Sequence, residues 1–322
     1  MSWKARRMIG LAMEERAVLA AEVCVGAKGA KLLRAAEFAL PEGASLEDPE
    51  ALGRALGDFL EREGFVAKGA VIGLPARWLV SKEKRLPPAD RGSIAAMVRI
   101  EAERSFATGI EQLALDYANG STSGQVLLTA IARRKVDQLL RMSQAAGRKA
   151  RGLVPTSMAL ASAVLPDDGS RLMVVLRPGH VEMVVRSAGR LVALRHLPAP
   201  AIPHVRDAEW NAAISRALAQ VEALMPVDLA GGEPELVFWD GIGLPGSTVE
   251  DIGGMARFRA GSCVGLAELG LAPLGGSDGR QERFGGAAAL AVAGARGEAF
   301  PVDFLHSRLS VRERPGLRRR IA

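Results

Sequence analysis

Hydrophobic and polar positions alternate, or run unbroken, in short stretches from the start of the chain. Ala17–Val25 and Lys31–Leu40 read as two strands joined at the turn Gly26–Gly29, a hairpin. Asp48 and Pro49 then have the chemistry of a helix start, a side-chain cap followed by a first-turn proline. Leu52, Leu56, Phe59 and Leu60 supply the buried stripe of that helix, and Gly64 closes it. A short apolar strand, Ala70–Leu74, comes next. The same order recurs about 160 residues later, which is the mark of an internal duplication. Its strands are Arg171–Leu176 and Val181–Arg186 around Pro178-Gly179, then Arg190–His196 after Ala188-Gly189. A helix over Asp207–Met225 follows, striped by Trp210, Ile214, Leu218 and Val221, and then the strand Glu235–Asp240.

The first half is interrupted. Ala76–Lys149 reads as a small α+β insertion, with Pro87-Pro88 near its start and a helix around Ser93–Phe106. Strands at Gln112–Tyr117 and Gln125–Ala132 and a helix near Lys135–Ala146 complete it. Beyond a loop at Gly275–Gly279, Phe284–Ala295 is a helix of small residues. From Phe300 the chain is rich in proline and arginine and no apolar period continues. The pattern divides the chain into a first α/β lobe at 1–168 with 76–149 inserted, a second at 169–298, and a tail at 299–322. Two such lobes facing each other enclose a cleft.

Composition narrows the class. With 48% hydrophobic and 24% charged residues the chain is neither disordered nor fibrous. Its core is built from Ala, Val and Leu, since aromatics are only 4%. Cys24 and Cys263 match no redox or metal spacing and suit a reducing compartment. The net charge of +6 sits at the ends: +3 over Met1–Arg7, +4 over the last twenty residues and −1 between. A nucleic-acid binder spreads its basic residues over a folded face. Arginine clustered at a terminus suits an anionic membrane surface instead, at roughly 1 kcal/mol per basic residue. The longest apolar stretch is too short to cross a bilayer, and Glu14, Glu15 and Arg16 cut the N-terminal one, so no signal core is expected. The expected place is the cytoplasm, or the cytosolic face of a membrane.

The duplicated layout with its insertion resembles the actin-like ATPase superfamily, an α/β fold of two ribonuclease-H-like lobes. Within it, the chain is most similar to the PilM proteins of type IV pilus assembly and the GspL cytoplasmic domains of type II secretion. FtsA, a division protein, has an inserted subdomain at the same place in its chain. The resemblance implies two Asp-x-Gly turns, each holding a carboxylate near Mg²⁺ and a glycine near a phosphate. In Ile9-Gly10-Leu11-Ala12-Met13-Glu14 the acid is Ala12 and the glycine is Glu14. In Arg177-Pro178-Gly179 the acid is arginine, and proline has no amide to donate. A third motif, Asp240-Gly241-Ile242-Gly243-Leu244-Pro245-Gly246, stands where the family has its adenosine loop. Gly10, Arg177, Gly179, Gly241, Gly243 and Gly246 would line a degenerate cleft, without ATP hydrolysis and with weak ATP binding at most. No cofactor and no metal are expected.

The tail adds a partner. PilN-type membrane proteins begin with a short apolar peptide that ends in a basic residue and binds a groove in PilM. Val302–Arg308 resembles that peptide, with Val302, Phe304 and Leu305 as anchors and Arg308 as its basic end. Arg318, Arg319 and Arg320 resemble the cytosolic flank of a membrane helix. The chain stops at Ile321-Ala322, where such a helix would begin, so either the chain continues or a separate partner supplies the span. Tethering at roughly millimolar effective concentration favours occupation of the groove by the tail itself. The resemblance implies a scaffold for a pilus or secretion machine, with a PilN- or GspM-like membrane partner, an assembly ATPase of the PilB/GspE type and self-association. The alternatives are an active actin-like ATPase or kinase relative and an FtsA-like membrane adaptor. Of the four histidines, His180, His196, His204 and His306, no two stand at metal-ligand spacing, and only His180 borders a motif.

Overall fold

The two halves form two five-stranded sheets with one strand order, in a computed structural model. It describes residues 5–119, 124–165, 167–198, 235–243, 262–274 and 281–309 and the single helical positions 212, 216 and 219. The first lobe contributes β1 (Arg6–Met13), β2 (Ala17–Gly26), β3 (Gly29–Ala39) and β4 (Gly69–Leu74), with α1 (Pro49–Arg62) between β3 and β4. The insertion supplies β5 (Leu79–Arg85), α2 (Arg91–Ser105), β6 (Leu113–Asn119) and β7 (Gln125–Ala132). The chain then returns through α3 (Arg133–Ala145) to β8 (Lys149–Pro155) and leaves by α4 (Thr156–Val164). The second lobe holds β9 (Ser170–Arg177), β10 (His180–Ser187), β11 (Arg190–Pro198), β12 (Glu235–Asp240) and β13 (Cys263–Val264), and ends in α5 (Gly285–Arg296).

The sheet orders are β3-β2-β1-β4-β8 and β11-β10-β9-β12-β13. In each, the three opening strands are antiparallel and the next two join parallel to the first. These are the two duplicated α/β lobes expected from the sequence. The central strands are buried on both faces, which is why they read as apolar runs rather than alternations. Asp48 caps α1 as its sequence predicts, its side chain accepting from the Ala51 amide at 3.0 Å. The helix predicted over Asp207–Met225 lies, apart from positions 212, 216 and 219, outside the described residues.

The inserted unit is smaller than 76–149. Its own sheet is β5-β7-β6, with Ile94, Val98 and Ala102 of α2 packed on Tyr117 and Leu128. Helix α3 instead lies on α1, where Gly53 and Gly57 admit the backbone of Met142 and Ala146. Thus α3 and β8 belong to the first lobe. Strand β5 escaped the pattern because Lys82-Glu83-Lys84-Arg85 hides its alternation, and α4 because it is apolar all round.

The lobes exchange helices. Helix α4 runs from the first lobe to contact β10, while α5, although it follows the second lobe, lies on β1, β2 and β4 of the first. Gly10 explains how α5 comes so close. It sits in mid-β1, paired with Ala21 and Val71, and a Cβ there would run into the carbonyl oxygen of Ala287.

Candidate functional site

The two opening turns of the lobes face each other across the cleft. Turn Glu14–Arg16 follows β1 and turn Pro178–Gly179 follows β9. Between them the Glu14 carboxylate meets the Arg177 guanidinium at 3.0 Å, with both side chains largely withdrawn from water. Arg177 also donates to the Arg283 carbonyl at 3.2 Å. It occupies space that Gly286, at the start of α5, leaves free by having no side chain. Burial pushes the Glu14 carboxyl above its ordinary value, against the opposing pull of Arg177 and His180. The cavity left here, lined by Glu14, Arg16, Arg177, Gly179, Gly241 and Arg283 among others, holds about 270 Å³. Next to it a cavity of about 480 Å³ opens under Asp240–Gly243, beside Cys263–Gly265.

These residues do not suit a magnesium–triphosphate. A guanidinium stands where the second acid belongs, and the nearest carboxylate is already paired to it. Asp240 is committed to its own loop, its Oδ1 accepting from the amides of Ile242 and Gly243 at 2.9 and 2.8 Å. Gly243 adopts φ 75°, which that loop needs. Gly179 also has a positive φ, in the β9–β10 hairpin. Arg177, Gly179 and Gly241 line the 270 Å³ cavity, and Gly241 and Gly243 the 480 Å³ one. Gly10 does not: it lies under α5, and its task is helix–sheet approach. Gly246 falls outside the described residues.

Behind the ion pair, His180, Glu182 and His196 come together. Glu182 and His196 are directly opposed on β10 and β11, and His180 is two residues along β10, on the same face. The imidazole centroids are 5.2 Å apart. His180 Nε2 lies 3.9 Å from Glu182 Oε1 and 3.8 Å from Glu14 Oε2. Burial drives His180 down from 6.5 to about 4; Arg177, His196 and Arg77 add to this and Glu14 opposes it. His196 is lowered as well, chiefly by burial. Sequence spacing missed this grouping because the two histidines are joined only through the hairpin register.

The tail forms a strap over the junction of the first lobe and the insertion. Val302 is fully buried, Phe304 nearly so, and Leu305 packs half-buried against the same core. Two hydrogen bonds tie it to β8: the Phe304 amide donates to the Leu153 carbonyl at 2.9 Å, and the Leu153 amide to the Asp303 side-chain Oδ1 at 3.0 Å. Asp116 of β6, wholly buried, holds the other side. It accepts from the amides of Asp303 and Arg308 at 2.8 and 2.9 Å and from Arg308 Nη1 at 3.0 Å. The Arg308 guanidinium also donates to the carbonyls of Tyr117, Pro301 and Phe300, closing the strap into a loop. Leu309 sinks into the core of the insertion, where Arg99 of α2 donates to its carbonyl. Arg318, Arg319 and Arg320 lie outside the described residues. Asp116, which holds the strap, is the residue that sequence reasoning missed; a lone acid in an apolar strand was its signal.

Solved structures settle the fold. The PilM–PilN type IV pilus biogenesis complex superposes with a TM-score of 0.70 and 19% identity, covering 89% of this chain and 98% of that one. The chain has the PilM fold. The cytoplasmic domain of EpsL, an inner membrane component of the type II secretion system of Vibrio cholerae, shares that fold at a TM-score of 0.53 and 12% identity. That match covers 94% of this chain and 100% of the other. No protein-family model matches the sequence, and no curated protein matches it. None of its helices, among the described residues, is long and apolar enough to cross a membrane.

Proposed function

We propose that this chain is a PilM-like scaffold, an assembly-platform component of a type IV pilus or type II secretion machine that works through protein contacts and not through ATP hydrolysis. The observation that carries the reading is the buried Glu14–Arg177 pair, which puts a cation where metal-assisted phosphoryl transfer needs an anion. The PilM fold over nearly the whole chain supports the scaffold role. The strap supports the partner class. A segment with the character of a PilN-type peptide, Val302–Arg308, is seated in a groove of the chain itself. A PilN- or GspM-like membrane protein, an assembly ATPase of the PilB/GspE type and further copies of this chain are the partners proposed. Arg318–Arg320 would lie against the anionic inner face of the membrane. The test is ATP turnover by the purified full chain with Mg²⁺, beside an Arg177→Met variant. The reading expects both to be inactive and nucleotide affinity to be indifferent to Mg²⁺. Turnover by the parent above that of the variant overturns it in favour of an active actin-like ATPase.

A further inference from the structure

We infer that His180, Glu182 and His196 form a binding site for a divalent transition metal of the zinc class. The donor atoms, one ring nitrogen from each histidine and one carboxylate oxygen, lie within 4.8 Å of one another. Zinc at about 2.1 Å from each ligand needs donors about 3.4 Å apart, so side-chain rotations of an ångström or less close the site. Two imidazoles and one carboxylate, with a position left open, are a donor set for zinc and its neighbours rather than for Mg²⁺ or Ca²⁺, which take oxygen.

Three observations point to an ion beyond proximity alone. The ligands stand on adjacent strands of a rigid hairpin, so the backbone holds them in place. Glu182 is buried, and its one hydrogen bond among the described residues comes from the Ala76 amide at 2.6 Å. Among the described residues, Arg177 is paired with Glu14 at 3.0 Å and Arg77 with Glu15 at 3.3 Å. A buried carboxylate without a paired cation is costly. The third is His196 Nδ1, which is buried and has no hydrogen-bond partner among the described residues. A cation between the three side chains answers both deficits. Glu14 Oε2 lies 3.8 Å from His180 Nε2 and is a further oxygen beside the group.

The position gives the ion a structural role. Glu182 already holds Ala76, the residue at which the first lobe passes into the insertion. A metal on the second-lobe hairpin therefore fixes the point where both lobes and the insertion meet.

The test uses the full chain with Cys24→Ser and Cys263→Ser, which removes thiol ligands. Zn²⁺ is titrated calorimetrically after treatment with chelator, and Co²⁺ is added separately to read its visible ligand-field bands. We expect one ion per chain, Co²⁺ bands of nitrogen and oxygen ligation, and a rise in melting temperature with Zn²⁺. His196→Gln should weaken Zn²⁺ affinity at least about tenfold, the lower range for loss of a mere outer-shell partner, while His306→Ala leaves it unchanged. His196 is half-buried and glutamine is of similar size, so His196→Gln is expected to fold, and circular dichroism of the metal-free variant checks this. Equal Zn²⁺ affinity in the parent and His196→Gln overturns the site, as does the absence of stoichiometric binding. If His196→Gln fails to fold, the Co²⁺ spectrum of the parent decides: bands lacking nitrogen ligation overturn the assignment.

Discussion

Replacing Asp116 with asparagine should release the strap. The aspartate is wholly buried and accepts three hydrogen bonds from it, two from backbone amides and one from the Arg308 guanidinium. Both carboxylate oxygens are in use. Asparagine keeps one acceptor and turns an amino group towards a donor, so at least one charge-assisted bond becomes a repulsion. A hydrogen bond to a charged group is worth roughly 1.5–3 kcal/mol, and the unpaired donor left behind costs a similar amount. Arg308 is partly exposed and regains water, which trims the loss. A net cost of about 3 kcal/mol is therefore expected, or roughly a hundredfold in the equilibrium between docked and released strap. Native-state hydrogen exchange reads this residue by residue. The amides of Leu153, Asp303, Phe304 and Arg308 should exchange roughly a hundredfold faster, with those of β9 and β10 unchanged. Unchanged exchange at Asp303 and Arg308 in a folded variant would show that Asp116 does not hold the strap.

Three other outcomes follow from the cleft and the helices. Arg177→Met strands the Glu14 carboxylate and should cost about 3–5 kcal/mol, while the double change Glu14→Gln/Arg177→Met recovers most of it; calorimetric melting of the three proteins measures both effects. His180 has a folded pKa of about 4 against an ordinary 6.5, so the unfolded chain binds the extra proton first; in chelator-treated protein its contribution, roughly 3 kcal/mol, is complete above pH 6.5 and drains away down to about pH 4. Urea midpoints across that range should slope steeply for the parent and less for His180→Gln, and parallel curves would contradict the assignment. Gly10→Ala drives a methyl group into the Ala287 carbonyl and should cost about 1–3 kcal/mol or more, read as a lower melting temperature.

Much of the fold was legible because the duplication repeats a pattern of apolar strands and capped helices. The hairpin Ala17–Leu40, the Asp48 cap and the strand Glu235–Asp240 fall where periodicity puts them. The elements that were not legible lacked contrast. Strand β5 is mostly charged, and α4 has no polar face to mark its period. The residues lining the cleft were legible as substitutions at known turns, yet the Glu14–Arg177 pair was not, since nothing along the chain links residues that meet only when the lobes close. Gly10 misled for a related reason: a glycine serving close packing looks, in one dimension, like one serving a ligand. His180 and His196 were separated by their spacing and joined by register. Val302 and Phe304 stood out as apolar residues in a polar tail, but Asp116, which accepts from the amides of Asp303 and Arg308 beside them, had to be seen in three dimensions.

The exchange of helices constrains how this molecule moves. Because α5 is covalently the end of the second lobe but is wedged by backbone contact onto β1, it travels with the first. Any rocking of one half against the other must then be absorbed in the two crossings, between α4 and β9 and at Gln281–Phe284, where Trp239 of β12 donates from its indole nitrogen to the Glu282 carbonyl at 2.7 Å. A pull on the strap is carried into β6, β8 and, through α5, into β1, all in the first half of the molecule.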